Sequence, residues 1–183
     1  MPAHPPAHCI SLNTAAVLTG RSIRTWQRRI EEGLVPRLGD ERGRALVAFE
    51  AVRPALALDL SAPEIHLLVR ADQGDAAAQA EVGALFALAA LREAQAATAP
   101  PAPGAGSALS ALHFLTRAAE QGQADAMHWL GLLHAAGLPM AEGDKADDGK
   151  ALALMWVAKA AAHGHAIAAQ QLGALLPGAV PSR

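Results

Sequence analysis

The sequence predicts a mostly α-helical protein in two parts: a small helix-turn-helix module carrying a β-hairpin, then an α-solenoid of about three helical-hairpin repeats. Three observations lead there. Of 183 residues 52% are apolar, yet 46 are alanine, and so small a side chain suits helices packed closely together. A 14-residue segment recurs three times along the chain. The charge is divided as well: up to Leu58 eight Arg and no Lys meet five acids, a balance of +3, whereas from Asp59 onward the balance is −5. The formal total of −2 conceals this asymmetry, and a chain so apolar is not a disordered one.

Taken in order, residues 1–9 (MPAHPPAHC) read as a disordered tail without the basic-then-apolar order of a secretory signal. Residues 10–60 read as a helix, a tight turn at Gly20, a second helix from Ser22 to Glu32, and Gly33. Asn13 and Ser22 are the expected N-caps, because their side-chain oxygens accept from orphan amides. On the second helix Ile23, Trp26 and Ile30 share the packing face. Arg24 and Arg28 lie opposite, flanked by Arg21 and Thr25. Leu38-GDERGR-Ala45-Leu46-Val47 sets turn residues between short apolar ends and predicts a β-hairpin bearing Arg37, Arg42 and Arg44. The stretch Arg21 to Arg44 holds seven arginines, a basic patch suited to a polyanionic partner. Ser61-x-x-Glu64 is a capping box that opens a helix able to serve both parts.

Residues 61–176 hold the repeats, with 177–183 as a C-terminal tail. QGDAAAQAEVGALF (Gln73 to Phe86) returns as QGQADAMHWLGLLH (Gln121 to His134) and as HGHAIAAQQLGALL (His163 to Leu176). Glycines align in pairs: Gly74 and Gly83, Gly122 and Gly131, Gly164 and Gly173. Ala78, Ala126 or Ala168 stands four residues after the first of each pair. The first glycine fits the left-handed position that ends a helix. The second lies inside the next helix, where glycine costs about 1 kcal/mol relative to Ala, so its recurrence predicts close packing there. The preceding helices supply apolar residues, Leu109, Leu112, Leu115 and Ala119 in one unit and Leu152, Met155, Val157 and Ala161 in another. A single such hairpin cannot bury its face, and stacked hairpins make a solenoid. The Pro- and Gly-rich loop Thr98 to Ser107 and the long connection Gly137 to Gly149 interrupt the array, and its acidic part, Glu142 to Asp148, reads as solvent-exposed.

LTRAAEQGQADAMHWLGLLHAAGLP (Leu115 to Pro139) and VAKAAAHGHAIAAQQLGALL (Val157 to Leu176) resemble the Sel-one-like repeat, a relative of the tetratricopeptide repeat. That resemblance implies a protein-binding scaffold, with Gly74, Ala78, Gly83, Gly122, Ala126, Gly131, Gly164, Ala168 and Gly173 as packing positions. The N-terminal run SLNTAAVLTGRSIRTWQRRIEEGLVP resembles the winged helix-turn-helix of the MerR and excisionase families. It implies that Ser22, Arg24, Thr25 and Arg28 lie where a recognition helix enters the major groove, with Arg21 and Arg29 beside them. Arg37, Arg42 and Arg44 would then meet phosphates from the wing. The chain departs from that family at Arg21, where an apolar residue is usual, at Arg28-Arg29, where an aromatic pair is usual, and at Pro54, which interrupts a third helix.

No catalytic constellation is legible, and no cofactor or metal is expected. His4, His8, Cys9, His163 and His165 match no zinc spacing; His113, His128, His134, Trp26, Trp129 and Trp156 read first as packing residues. Cys9, the single cysteine, cannot form an internal disulfide, which fits a reducing cytoplasm, and no apolar run is long enough for a membrane span. The expectation is a non-enzymatic, DNA-associated regulator or adaptor of bacterial type. Its partners would be double-stranded DNA, a protein bound by the repeats, and a second copy as a homodimer. The alternative is a protein-interaction scaffold in which the basic module docks onto protein.

Overall fold

A computed structural model describes residues 8–40, 43–96, 106–138 and 146–175, and these are mostly helical. The chain opens with β1 (Cys9–Ser11), followed at once by α1 (Leu12–Thr19) and, after a tight turn, α2 (Ile23–Glu31). Gly20 makes that turn with φ +63°, a left-handed conformation that costs glycine little. Strands β2 (Leu38–Gly39) and β3 (Ala45–Ala48) then form the expected hairpin, with Leu38 opposite Leu46. β1 adds to its other side, Ile10 opposite Val47, giving an antiparallel sheet in the order β1-β3-β2. Helix α3 (Phe49–Val52) passes into a 3-10 turn at Arg53–Ala55, where Pro54 ends the α-helical ladder.

Two local expectations change. Ser11, not Asn13, caps α1: its hydroxyl accepts from the Thr14 N–H at 3.2 Å, and Asn13 is already inside the helix. On α2 only Trp26 is fully buried, while Ile23, in the first turn, is 42% exposed, with no element among the described residues covering that end. Ser22 caps α2 as expected, accepting from the Thr25 N–H at 3.1 Å.

Helix α4 (Ala62–Asp72) begins at the capping box, where the Glu64 carboxylate accepts from both the N–H and the hydroxyl of Ser61. Three helical hairpins follow in outline: α4 with α5 (Ala76–Ala96), α6 (Ser107–Glu120) with α7 (Ala124–Ala135), and α8 (Ala146–Ala162) with α9 (Ala166–Leu175). The inner turns hold Gly74, Gly122 and Gly164, with φ of +100°, +87° and +89°. Ala78, Ala126 and Ala168 are each wholly buried at the start of the second helix, where a longer side chain would part the hairpin. The expected face of the first helices is rotated in part. Phe114 and Leu115 are buried on α6, Leu109 and Leu112 only half so, and Met155 of α8 is 37% exposed. The two interrupting loops fall largely outside the described residues, although Asp148 is described, exposed and already helical.

One core runs through both parts, from Ile10, Trp26 and Phe49 to Phe86, Phe114 and Leu130. α1 packs on α6 and α4 touches β1, so the basic module is seated on the hairpins rather than tethered to them. A half-buried carboxylate ties the joint. Asp72, at the end of α4, accepts from the Ser11 N–H at 3.0 Å and from the hydroxyls of Ser11 and Thr14.

Candidate nucleic-acid interface

The exposed end of α2 is built from its cap outward. Ser22 is extended (φ −70°, ψ 154°), which turns the chain out of the Gly20 bend and starts the helix facing solvent. Its hydroxyl also lies 2.9 Å from that of Thr25, so the two polar side chains brace one another. Arg21, Arg24 and Arg28 are exposed around them. Arg28 has a loose partner, Glu32 at 3.7 Å, with both side chains more than half exposed; such a pair holds little energy and leaves the guanidinium accessible. Trp26 anchors the opposite face, 1% exposed, its indole N–H donating to Thr19 Oγ1 at 3.3 Å.

Arg29 stands apart from this group. It is half-buried, its guanidinium carbon 5.6 Å from the Trp26 ring centroid, and its Nε is buried with no hydrogen-bond partner among the described residues. It packs over the tryptophan, and its carbonyl accepts from the N–H groups of Leu34 and Val35 to close the helix. The hairpin supplies Arg37 and Arg44, both exposed, while Arg42 lies outside the described residues. Arg44 is engaged within its own turn. Its Nε donates to Asp40 Oδ2 at 2.6 Å and its N–H to Asp40 Oδ1 at 2.8 Å, and that hydrogen-bonded carboxylate holds the guanidinium more firmly protonated. The clasp stiffens the tip, where Gly43 has φ +76°. Five of the nine candidates therefore share the start and outer face of α2, and two more, Arg37 and Arg44, immediately precede the two strands that follow it. Ile23 and Leu34, 42% and 63% exposed, add apolar surface at the two ends of α2.

Elsewhere the structure groups residues that sequence reasoning read singly. His128 of α7 and His165, in the turn before α9, stack with centroids 4.2 Å apart. His128 Nε2 lies 2.9 Å from Gln171 Oε1, His165 Nδ1 accepts from the Ala168 N–H at 3.1 Å, and Asp125 Oδ1 is 3.5 Å from His165 Nε2. Burial pushes the His128 imidazole below its usual range, against the Gln171 contact. His113 is lowered by the same cause, with Arg117 adding to it, and its Nε2 is buried without a partner among the described residues. These arrangements hold helices together. Among the described residues no three His, Cys, Asp or Glu side chains converge as for a metal ion, and no helix is long and apolar enough to cross a membrane.

Asp72 is a structural position that the sequence pattern does not reveal. It sits 61 residues from Ser11, and nothing in the local pattern marks a carboxylate at a helix end as the clasp of a distant cap. Comparison with protein-family models, with curated proteins and with solved structures returned no match.

Proposed function

We propose that this protein is a non-enzymatic DNA-associated regulator or adaptor, a winged helix-turn-helix module seated on a short solenoid of Sel-one-like repeats. The observation that carries this reading is the exposed group Arg21, Ser22, Arg24 and Arg28, with half-buried Thr25 among them, at the start and outer face of α2, and Trp26 fixing the opposite side in the core. A helix presented by its N-terminal turns, beside a two-stranded hairpin, suits entry into a major groove. Arg24 and Arg28 would contact base edges or phosphates, and Arg37 would reach the backbone from the wing, with Arg44 shaping its tip. The hairpin repeats would hold a protein partner. The compartment this implies is the cytoplasm of a bacterial cell.

The test compares DNA retention by the wild type with that of Arg24→Ala/Arg28→Ala, and with Arg70→Ala/Arg117→Ala as a control of equal charge loss on the repeats. The first pair is expected to lose binding with its helical circular dichroism intact, and the control to keep it. Equal effects from both pairs would reduce the interaction to net charge.

A second reading rests on Ile23 and Leu34. Apolar side chains at both ends of a basic helix suit an acidic protein surface better than a nucleic-acid groove, and in that case the module is a protein-docking element. Ile23→Ser/Leu34→Ser separates the two: DNA binding is unchanged by it, whereas protein docking is weakened.

A further inference from the structure

The three hairpins can be compared position by position, and the last one differs. A Cβ placed at Gly83 of α5 would lie 2.6 Å from Leu115 Cδ2 of α6, and one at Gly131 of α7 would lie 2.9 Å from Val157 Cγ2 of α8. In both places a branched aliphatic side chain of the following helix sits on the glycine. At Gly173 of α9 nothing among the described residues lies within 4 Å. The neighbours repeat the contrast: Gln79 and Ala80 of α5 are buried, as are Met127 and His128 of α7, whereas their counterparts Ala169 and Gln170 are exposed. The ten residues of α9 include no charged side chain, and Ile167 is 57% exposed. Among the described residues the outer face of α9 carries one polar side chain, Gln170, and no charge.

The same helix holds both halves of the missing contact. Ile167 and Gly173 lie three residues to either side of Gln170, each about 60° from it in opposite senses at 100° per residue, so all three belong to the open side. A two-fold axis level with Gln170, relating two antiparallel, crossed α9 helices, sets Ile167 of each copy at the height of the other's Gly173. That is the pairing Leu115–Gly83 and Val157–Gly131 already make within the chain. It also brings two Gln170 amides together, each able to donate and to accept. An isologous contact uses one patch twice, and a helix without charge meets no like-charge repulsion in doing so. The apolar groove between α7, α8 and α9, lined by Leu132, Leu154, Val157 and Leu175, opens along the same helix and extends the surface available. From this self-complementarity we infer that the outer face of α9 is the site at which a second copy of this chain docks.

Sedimentation equilibrium of the full chain, without DNA, tests the assignment across the low- to high-micromolar range. The wild type is expected to associate as a dimer. Ile167→Glu and Gln170→Arg, by placing an unpaired charge in the contact, are expected to weaken its dissociation constant by about tenfold or more. Both side chains are exposed in the single chain, so the monomer of either variant keeps its circular dichroism and melting temperature. Two independent variants keep the test decisive if one misfolds. A wild type that stays monomeric throughout, or a dimer equally stable in both variants, would overturn the assignment. So would a monomeric wild type whose melting temperature falls with Ile167→Glu, since the face would then be covered by the chain itself. Because no DNA is present, the outcome is separate from that of the nucleic-acid reading.

Discussion

At Gly83 the absence of a side chain is a packing requirement rather than a turn requirement. The backbone there is ordinary helix, and alanine would favour it by about 1 kcal/mol. A Cβ would nonetheless meet Leu115 Cδ2 and Cγ at 2.6 Å and the Leu115 backbone nitrogen at 3.1 Å, so α6 must move to admit it. Overpacking of this kind costs about 1–3 kcal/mol, which exceeds the propensity gain, and Gly83→Ala is expected to destabilise the chain in chemical denaturation. A rise in stability would show the α5–α6 contact to be loose. Asp72 is the other residue on which several contacts converge. Asp72→Ala leaves the Ser11 N–H and the hydroxyls of Ser11 and Thr14 without their acceptor at the joint between α1 and α4. Unmet polar groups of that kind cost about 1–3 kcal/mol, and the loss is expected to appear in the denaturation midpoint. An unchanged midpoint would mean that water replaces the carboxylate at no cost.

The helices are joined by groups that titrate. Burial holds His128 between α7 and α9, and His113 on the α1-facing side of α6, below the ordinary imidazole range. With the folded value depressed, neutral imidazole is the form that folding favours. Stability is then full above the unfolded value near 6.5 and declines as pH falls below it. The melting temperature is expected to drop between neutral pH and pH 5, before most carboxylates titrate, and His128→Gln is expected to reduce that drop. A flat profile over this interval would contradict the assignment of buried neutral histidines. The hairpins themselves were legible because everything that forms them is local: a glycine to end one helix, an alanine to admit the next, a second glycine nine residues on. Ser22 and the Ser61–Glu64 box were legible for the same reason. β1 was not, since Cys9–Ser11 is too short to show alternation and pairs with residues 35–39 positions away. Misplacing the first cap at Asn13 followed from that, because the strand ends at Ser11 and hands its hydroxyl to α1.

At the scale of the whole molecule, the two parts share a core, yet their surfaces differ in character. The basic excess is gathered on the exposed side of α2 and its hairpin, while α9 at the far end of the chain offers an uncharged apolar face. Helical periodicity already set Arg24 and Arg28 opposite the packing face with Arg21 beside them, and these remain outside; it did not show that Arg29 turns in over Trp26 or that Arg44 closes on Asp40. If the outer face of α2 meets DNA, the few exposed arginines among the described residues would make too few phosphate contacts for tight binding by one copy, and two copies on neighbouring half-sites would supply the remainder. Whether this face meets DNA is read from the salt dependence of its binding to random-sequence duplex. Binding followed by fluorescence anisotropy should weaken steeply between low and moderate salt, as phosphate contacts release counterions, and each arginine removed from α2 should lower the slope by about one. No binding at low salt, or a slope unchanged by Arg24→Ala/Arg28→Ala, would mean that the α2 arginines do not meet DNA.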